Sequence, residues 1–358
     1  RMRVIISLAE ADLHHMLSQN ATFSLIKAIL FRRIILGELY DLVTKITKLM
    51  ITSLKPAVRN LCSQVFMEFL EKYPMGNKRR EEHVNALLKN LSYSFEIGRL
   101  SALNMLEKII KKSNQSAVNA QAKTFFVQMV LRLVNEDVET CREKISEVML
   151  LLMTRIGAKE FDEVMEMTQQ WINVSADSDE KRLMSIAGLQ CYGFGIESRA
   201  KLMQKYTAAY RKRFCTTHCA SPASVHWEIA YHALIVAEKI FIHSCKVGDF
   251  LSETSLDAIV SHMCGEHPWV RTVSMRITRH LMSNTKILKV KANKEMMCNS
   301  KRMFEITRNL CFQFKHEDMP SAMATLAREN LMLLSHLYAA SSDANGLANS
   351  KKNDITSG

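Results

Sequence analysis

Apolar residues recur at helical spacing after two proline-containing turns, in "KPAVRNLCSQVFMEFL" at 55–70 and "HPWVRTVSMRITRHLM" at 267–282. Pro56 and Pro268 fit the first turn of a helix, where a missing N–H costs nothing. The apolar positions that follow share one helix face: Val58, Leu61, Cys62, Val65, Phe66 and Phe69 in the first stretch, and Val270, Val273, Ile277 and Leu281 in the second. Both stretches therefore predict amphipathic helices that start in the same way.

An arginine stands beside the apolar stripe near the start of each helix, and this placement recurs at intervals of 40, 43, 40 and 89 residues. Its members are Arg59, Arg99, Arg142, Arg182 and Arg271. The last interval is close to two units, so a member is missing near 226, where "SPASVHWEIAYHAL" starts a helix without an arginine; Arg328 fits as a late, more widely spaced member. A period of about 40–47 residues with two helices is typical of HEAT and armadillo arrays. The sequence thus predicts an all-α, HEAT/armadillo-like α-solenoid of about eight helix pairs over 1–340.

The composition agrees with an all-α chain, because glycine (11) and proline (5) are scarce among 358 residues. Twenty-two methionines suit adaptable helix packing, and no run alternates like a strand. No apolar, charge-free stretch reaches the roughly 18 residues of a membrane span, so we expect none. The segment 341–358 lacks apolar content and is predicted to be disordered. Because the chain opens at Arg1 inside a helical pattern, we expect a fragment of a longer protein.

The recurring arginines, which we call the arginine ladder, have a structural interpretation. In stacked helix pairs, an arginine at the start of each second helix can bond carbonyls or an acid of the next repeat and so tie the layers together. We expect this role for the five members named above. Direct contact with a ligand is the alternative.

The net charge of +12 is concentrated in one part of the chain. Residues 199–302 carry 17 Lys and Arg against 7 Asp and Glu, a net of +10. Such a basic surface attracts phosphate without choosing bases, so we predict RNA binding there. The predicted RNA-binding residues are Arg199, Lys201, Lys205, Arg211, Lys212, Arg213, Arg276, Arg279, Lys289, Lys291 and Lys294. An acidic protein segment as the partner, or a merely solvated face, remains open.

Catalytic motifs are not found in the sequence, which contains no P-loop, no Gly-x-Ser-x-Gly and no His-Glu-x-x-His. Gly193 and Gly195 form a short Gly-x-Gly that we interpret as a helix end. One loose group of possible ligands, Cys215, His218 and Cys219 with His262, Cys264 and His267, does not have the tight spacing of zinc sites. We therefore expect no enzyme activity, no metal and no cofactor. Nine scattered cysteines indicate a reducing compartment rather than a disulfide framework.

The block at 53–110 resembles a known family of very large helical-repeat proteins, and a looser likeness continues over roughly 50–340. The residues that carry it are Arg59 with Cys62, Gln64, Val65 and Phe66, then Tyr73-Pro74, Gly76 and Lys78, then Leu91, Tyr93, Glu96 and Gly98-Arg99. The family is that of small-subunit processome component 20, also called "down-regulated in metastasis", which is associated with the U3 small nucleolar RNA.

This resemblance implies a nucleolar, non-catalytic scaffold for the processing of pre-ribosomal RNA toward the small-subunit RNA. The implied partners are pre-ribosomal RNA or the U3 small nucleolar RNA, together with other processome proteins and without a membrane. A protein-only scaffold or transport adaptor of the same architecture, whose basic face receives an acidic peptide, is the alternative function.

Overall fold

The computed structural model describes residues 5–6, 19–33, 35–218, 225–243, 247–315 and 320–355. Within these ranges the regular structure is α-helix with short 3-10 turns and no strand, so the all-α prediction is confirmed. No helix in the described ranges is long and apolar enough to cross a membrane. The chain divides into two compact units, Arg1–Glu166 and Met167–Gly358.

The first unit is built from helices that pair in sequence order. Its described helices are α1 (Gln19–Phe31), α2 (Gly37–Thr52), α3 (Pro56–Lys72), α4 (Asn77–Lys89), α5 (Glu96–Lys112), α6 (Gln115–Val134) and α7 (Glu139–Arg155). Three pairs pack internally: α2 on α3, α4 on α5, and α6 on α7. The second helices of successive pairs also pack on one another, because α1 contacts α3, α3 contacts α5, and α5 contacts α7.

The second unit repeats this arrangement with more short connecting helices. Its helices are α8 (Ala158–Ile172, which starts in the first unit), α9 (Asp179–Met203), α10 (Thr207–His218), α11 (Trp227–Ile242), α12 (Val247–Phe250), α13 (Glu253–Ser261), α14 (Pro268–Ser283), α15 (Thr285–Leu288), α16 (Lys291–Cys298), α17 (Ser300–Gln313) and α18 (Ser321–Ile355). Here the second helices α9, α11, α14 and α18 pack in succession, and the first helices α10, α13 and α17 do the same.

The helix starts follow from local chemistry. Pro56 and Pro268 each occupy the first turn of their helix, as predicted. Asn114 accepts a hydrogen bond from the Ala117 N–H at 2.8 Å and so caps α6. At the start of α13, Ser252 and Ser255 exchange side-chain to backbone hydrogen bonds in a capping box. Each such cap stabilises its helix by about 1 kcal/mol.

The core consists of apolar side chains that pack between neighbouring helices. Phe66 and Phe126 are fully buried in the first unit, and so is Phe250 in the second unit, where Tyr192 is nearly fully buried. Burial of one such side chain stabilises the fold by roughly 1.5–3 kcal/mol. Within each unit a helix contacts mainly its neighbours, so the core follows the succession of helix pairs.

Two boundary predictions differ from the structure. Gly193 and Gly195 do not end a helix, because α9 continues through both to Met203 and bends at Arg199, whose backbone leaves the helical region (φ −145°, ψ 58°). Both glycines are buried within α9, and Gly193 lies against the side chain of Lys239. The last helix, α18, runs to Ile355, beyond the predicted boundary at 340. Disorder of 341–358 in solution stays a prediction.

Candidate functional site

The first basic segment, residues 199–213, covers the bent end of α9, a 3-10 turn and most of α10. It contains six cations and no acid. Lys201, Lys205 and Lys212 are exposed. Arg199 is half-buried at the bend, and this burial lowers its pKa. The three lysines are therefore the members most available to a phosphate backbone.

Arg213 and both tyrosines of this segment contact neighbouring parts of the fold. Arg211 and Arg213 are half-buried, and Arg213 Nη2 donates to the Ile172 carbonyl at 3.4 Å. Tyr210 is buried, and its hydroxyl donates to the Ala233 carbonyl at 2.9 Å. Tyr206 is buried too, with the Lys205 ammonium 5.0 Å from its ring centre. The tyrosines beside the lysines thus pack inward and do not offer a stacking surface.

The second basic segment, residues 286–301, lies on the short helices α15 and α16 and the start of α17. Its exposed lysines are Lys286, Lys289, Lys291, Lys294 and Lys301. Glu295 is the one acid within these residues, and its carboxylate is 3.7 Å from the Lys291 ammonium. This segment therefore carries the denser array of exposed positive charge.

Arg276 and Arg279, which were predicted to bind RNA, lie on α14, and each forms an ion pair with an acid of a neighbouring helix. Arg276 Nε donates to Glu238 Oε1 of α11 at 2.8 Å, and this contact raises the arginine pKa. Arg279 Nη1 lies 2.9 Å from Glu329 Oε2 of α18. The two arginines link second helices of neighbouring pairs, so their charges are largely neutralised on the fold itself.

The ladder arginines share one geometry. Each stands four residues after the residue that caps its helix, and its backbone N–H donates to the carbonyl of that residue. We call this fourth place the ladder position. In Arg59, Arg99, Arg142 and Arg271, Nη1 also donates to the carbonyls five and six residues earlier, at 2.7–3.0 Å. These carbonyls belong to the turn inside the same helix pair, whereas the prediction placed them in the next repeat.

Arg99 adds the predicted contact with an acid of the next repeat. Its Nε and Nη2 donate to the two carboxylate oxygens of Glu136 at 2.9 and 2.8 Å, and Arg132 Nε donates to the same carboxylate at 2.8 Å. The Glu136 side chain is fully buried. Burial alone would raise the pKa of Glu136, but the hydrogen bonds from Arg132 and Arg99 outweigh it and lower that pKa to about 2.

Arg182 and Arg328 differ from this geometry. Arg182 Nη1 lies 2.8 Å from Asp179 in its own first turn, and its Nε lies 3.6 Å from Glu228 of α11. Arg328 lies outside the ladder position of α18. The ladder position of that helix is Ala324, whose N–H donates to the Pro320 carbonyl, and Arg328 is exposed one turn later.

The loose group of cysteines and histidines does not form a metal site in the described residues. Within them, no cluster of three or more His, Cys, Asp or Glu side chains could hold a metal ion. Cys215 Sγ is 3.5 Å from the Thr254 hydroxyl, and His262 is buried, which lowers its pKa to about 4. The side chains of His218 and Cys219 lie outside the described residues.

Comparison with known proteins agrees with the resemblance stated above. The chain is 27% identical over 272 residues to the U3 small nucleolar RNA-associated protein 20 of Schizosaccharomyces pombe, which covers 74% of this chain and 11% of that protein. It is 23% identical over 339 residues to the protein of the same name from Saccharomyces cerevisiae, covering 91% of this chain and 13% of that protein. The chain thus spans about a tenth of these curated relatives, and the predicted similarity to a fragment of this family is confirmed. No protein-family model matches the chain.

Solved structures support the fold. A chain in the solved complex of Kap95p with RanGDP matches with a TM-score of 0.52 at 10% identity, covering 98% of this chain and 50% of that chain. At this identity the likeness concerns the fold alone, and the HEAT/armadillo-like α-solenoid class is confirmed.

Proposed function

We propose that this chain is a segment of a non-catalytic scaffold in small-subunit ribosome biogenesis, which acts in the nucleolus on pre-18S RNA processing. The observation that carries the proposal is its similarity, over most of its length, to the two yeast proteins named for their association with the U3 small nucleolar RNA. A stacked-helix fold supports this role, because such arrays act through extended surfaces rather than through a closed active site.

We further propose that pre-ribosomal RNA binds to the exposed lysines of the two basic segments. In the segment 286–301 these lysines stand on short helices with a single acid among them, so most of their charge faces solvent without compensation. Contacts of this kind neutralise phosphates and release counterions, which gives affinity without base specificity. The paired Arg276 and Arg279 are expected to contribute little to RNA affinity.

The test is a titration of the chain with a structured stem–loop RNA at low and at physiological salt, using the triple variant Lys286→Glu, Lys289→Glu, Lys294→Glu. We expect much weaker binding and a salt dependence whose slope is smaller by about 2–3, because three phosphate contacts are removed. The matched control reverses three exposed lysines of the first unit, Lys48, Lys72 and Lys89. This control is expected to retain most of the affinity.

Two results would contradict the RNA surface. Equal losses in both triple variants would mean that RNA responds only to total charge. Negligible RNA binding at low salt, together with lysine-dependent binding of an acidic peptide, would favour the protein-only scaffold or transport adaptor.

A further inference from the structure

The ladder position of α11, inside the second unit, carries no arginine. In α11 the capping residue is His226, so the ladder position is Ala230. Its N–H donates to the His226 carbonyl at 3.1 Å, the same backbone bond that Arg271 makes to His267 in α14. The member predicted to be missing near 226 is therefore this alanine, and α11 starts in the same register as its arginine-bearing neighbours.

A cleft opens where that side chain would lie. Its volume is about 610 Å³, and Ala230 lines it together with Val225, Trp227, Ser261, Gly265 and Glu266. Val225 stands five residues before Ala230, in the turn whose carbonyls a ladder arginine bonds elsewhere. Gly265 stands six residues before Arg271, just as Glu136 stands six residues before Arg142. In the Arg99–Glu136 contact, a ladder arginine meets an acid in the turn of the next helix pair. At the corresponding positions between α11 and the turn before α14, the residues are Ala230 and Gly265, which are both small.

The surface of the cleft suits a flat cation. Trp227 and His267 stack at its edge with ring centres 3.8 Å apart and planes 7° apart, and Trp269 adds an edge contact to Trp227 at 5.7 Å. Trp269 is 59% exposed and Glu266 is also exposed. Among the described residues that line the cleft there is no lysine or arginine. The Gly265 and Glu266 carbonyls already accept from Arg271 Nη1. The Glu266 carboxylate, the Val225 carbonyl and an indole face attract a further guanidinium and disfavour a phosphate.

We propose that this cleft is a docking site for an arginine side chain supplied by a partner protein. The occupant is deduced from the chain itself, which places an arginine guanidinium against the equivalent turn in α3, α5, α7 and α14. The partner's guanidinium would bond the Val225 carbonyl, stack on Trp227 and face the Glu266 carboxylate. This surface is separate from the basic segments, and the proposal does not depend on RNA binding.

Fluorine NMR of the full chain labelled with 5-fluorotryptophan tests this site, because Trp227 lines the cleft, Trp269 contacts Trp227, and the third tryptophan, Trp171, lies in α8. The probe is the blocked tripeptide Gly-Arg-Gly, and the same tripeptide with citrulline is its uncharged counterpart. We expect a saturable shift of the Trp227 and Trp269 signals with the arginine peptide, and no shift of the Trp171 signal. The citrulline peptide is expected to leave all three signals unchanged.

The variant Ala230→Arg should fill the cleft from within and weaken peptide binding by at least about tenfold. Ala292→Arg, at an exposed alanine of α16, adds the same charge elsewhere and should bind the peptide like the parent chain. If Ala230→Arg does not fold by circular dichroism, Ala230→Met fills the same space without charge and should also block binding.

Undiminished binding by the filled variant that folds, or equal binding of the citrulline peptide, would overturn the proposal. Shifts of both signals with a single-stranded oligouridylate but not with the arginine peptide would instead assign the cleft to stacked bases.

Discussion

At the scale of single residues, four ladder arginines each donate to two carbonyls of the turn before their own helix. The period and the position after each helix start are visible in the sequence, so Arg59, Arg99, Arg142 and Arg271 could be predicted. Their hydrogen-bond acceptors are turn carbonyls, whose directions depend on how the chain bends before each helix. A sequence pattern does not give that direction, and this is why the carbonyls were assigned to the wrong repeat.

The same limit applies to the basic residues. Counting charges along 199–302 identified the lysines of the two basic segments, which the structure leaves exposed. It could not distinguish Arg276 and Arg279, because their acids lie 38 and 50 positions away in the sequence. Long-range ion pairs of this kind become visible only when neighbouring helix pairs are placed side by side.

The buried carboxylate of Glu136 gives a prediction at this scale. Its folded pKa of about 2 lies below the ordinary value of 4.5, so its contribution to stability is present above pH 4.5 and is lost as the pH falls toward 2. We expect Glu136→Gln to lower the free energy of unfolding at pH 7 by about 3 kcal/mol. The difference between parent and variant should shrink steadily below pH 4.5, as measured by urea unfolding at a series of pH values.

The matched control for this prediction is Glu147→Gln, which removes an exposed acid paired with Lys144. Exposed pairs of this kind contribute only about 0–1 kcal/mol, so the control should change stability little at any pH. A difference between parent and Glu136→Gln that stays constant from neutral to acid pH would show that the Arg99–Glu136 contact does not depend on the carboxylate charge.

At the scale of helices, the proline-led starts could be predicted and the glycine-containing helix could not. Proline has one interpretation at the first turn of a helix, since its ring fixes φ and its nitrogen needs no partner there. Glycine has two, because it either ends a helix or lets another element approach closely. In α9 the second interpretation applies: Gly188 lies against the backbone of α8, and Gly193 lies against Lys239 of α11.

These two glycines are expected to respond in opposite ways to alanine. A Cβ at position 188 would lie 3.0 Å from the Ile172 backbone nitrogen and 3.1 Å from the Thr168 carbonyl oxygen, so α8 would have to shift. We expect Gly188→Ala to destabilise the chain by about 1–3 kcal/mol. At position 193 the nearest atoms belong to the flexible end of Lys239, at 3.1 Å and beyond. There the helix preference of alanine should dominate, and Gly193→Ala should stabilise by up to about 1 kcal/mol.

Thermal and urea unfolding of the two variants measure this contrast. A stabilising effect of Gly188→Ala would mean that α8 and α9 do not pack as closely as described. A loss of stability in Gly193→Ala would mean that Lys239 cannot move aside without losing its ion pair with Glu197, whose carboxylate lies 2.8 Å from the ammonium. That ion pair would then be one that stabilises the fold.

At the scale of the whole molecule, the repeat period was enough to predict the architecture. Each helix pair buries its apolar face against its neighbours, so the same short pattern had to recur for a core to form at all. The short helices α12, α15 and α16 escaped prediction because they are insertions between repeats and carry no period of their own. The insertion that contains α15 and α16 also holds the densest exposed lysines, which places the least predictable part of the fold in the proposed RNA surface.

Because helix pairs stack on their neighbours, the destabilising effect of a substitution is expected to stay near its own repeat. Glu136 lies in the α6–α7 turn and Gly188 in α9, in different helix pairs and without a shared contact partner in the described structure. In an array whose stability is a sum over repeats and their interfaces, Glu136→Gln and Gly188→Ala should add to within about 0.5 kcal/mol. Hydrogen exchange should rise around α5–α7 in the first variant and around α8 and α9 in the second.

Glu136→Gln combined with Arg99→Met provides the contrast, because these residues share one contact and their effects should fall well short of a sum. Accelerated exchange across every helix in either single variant would instead indicate one cooperative core, and the array would then unfold as a single unit.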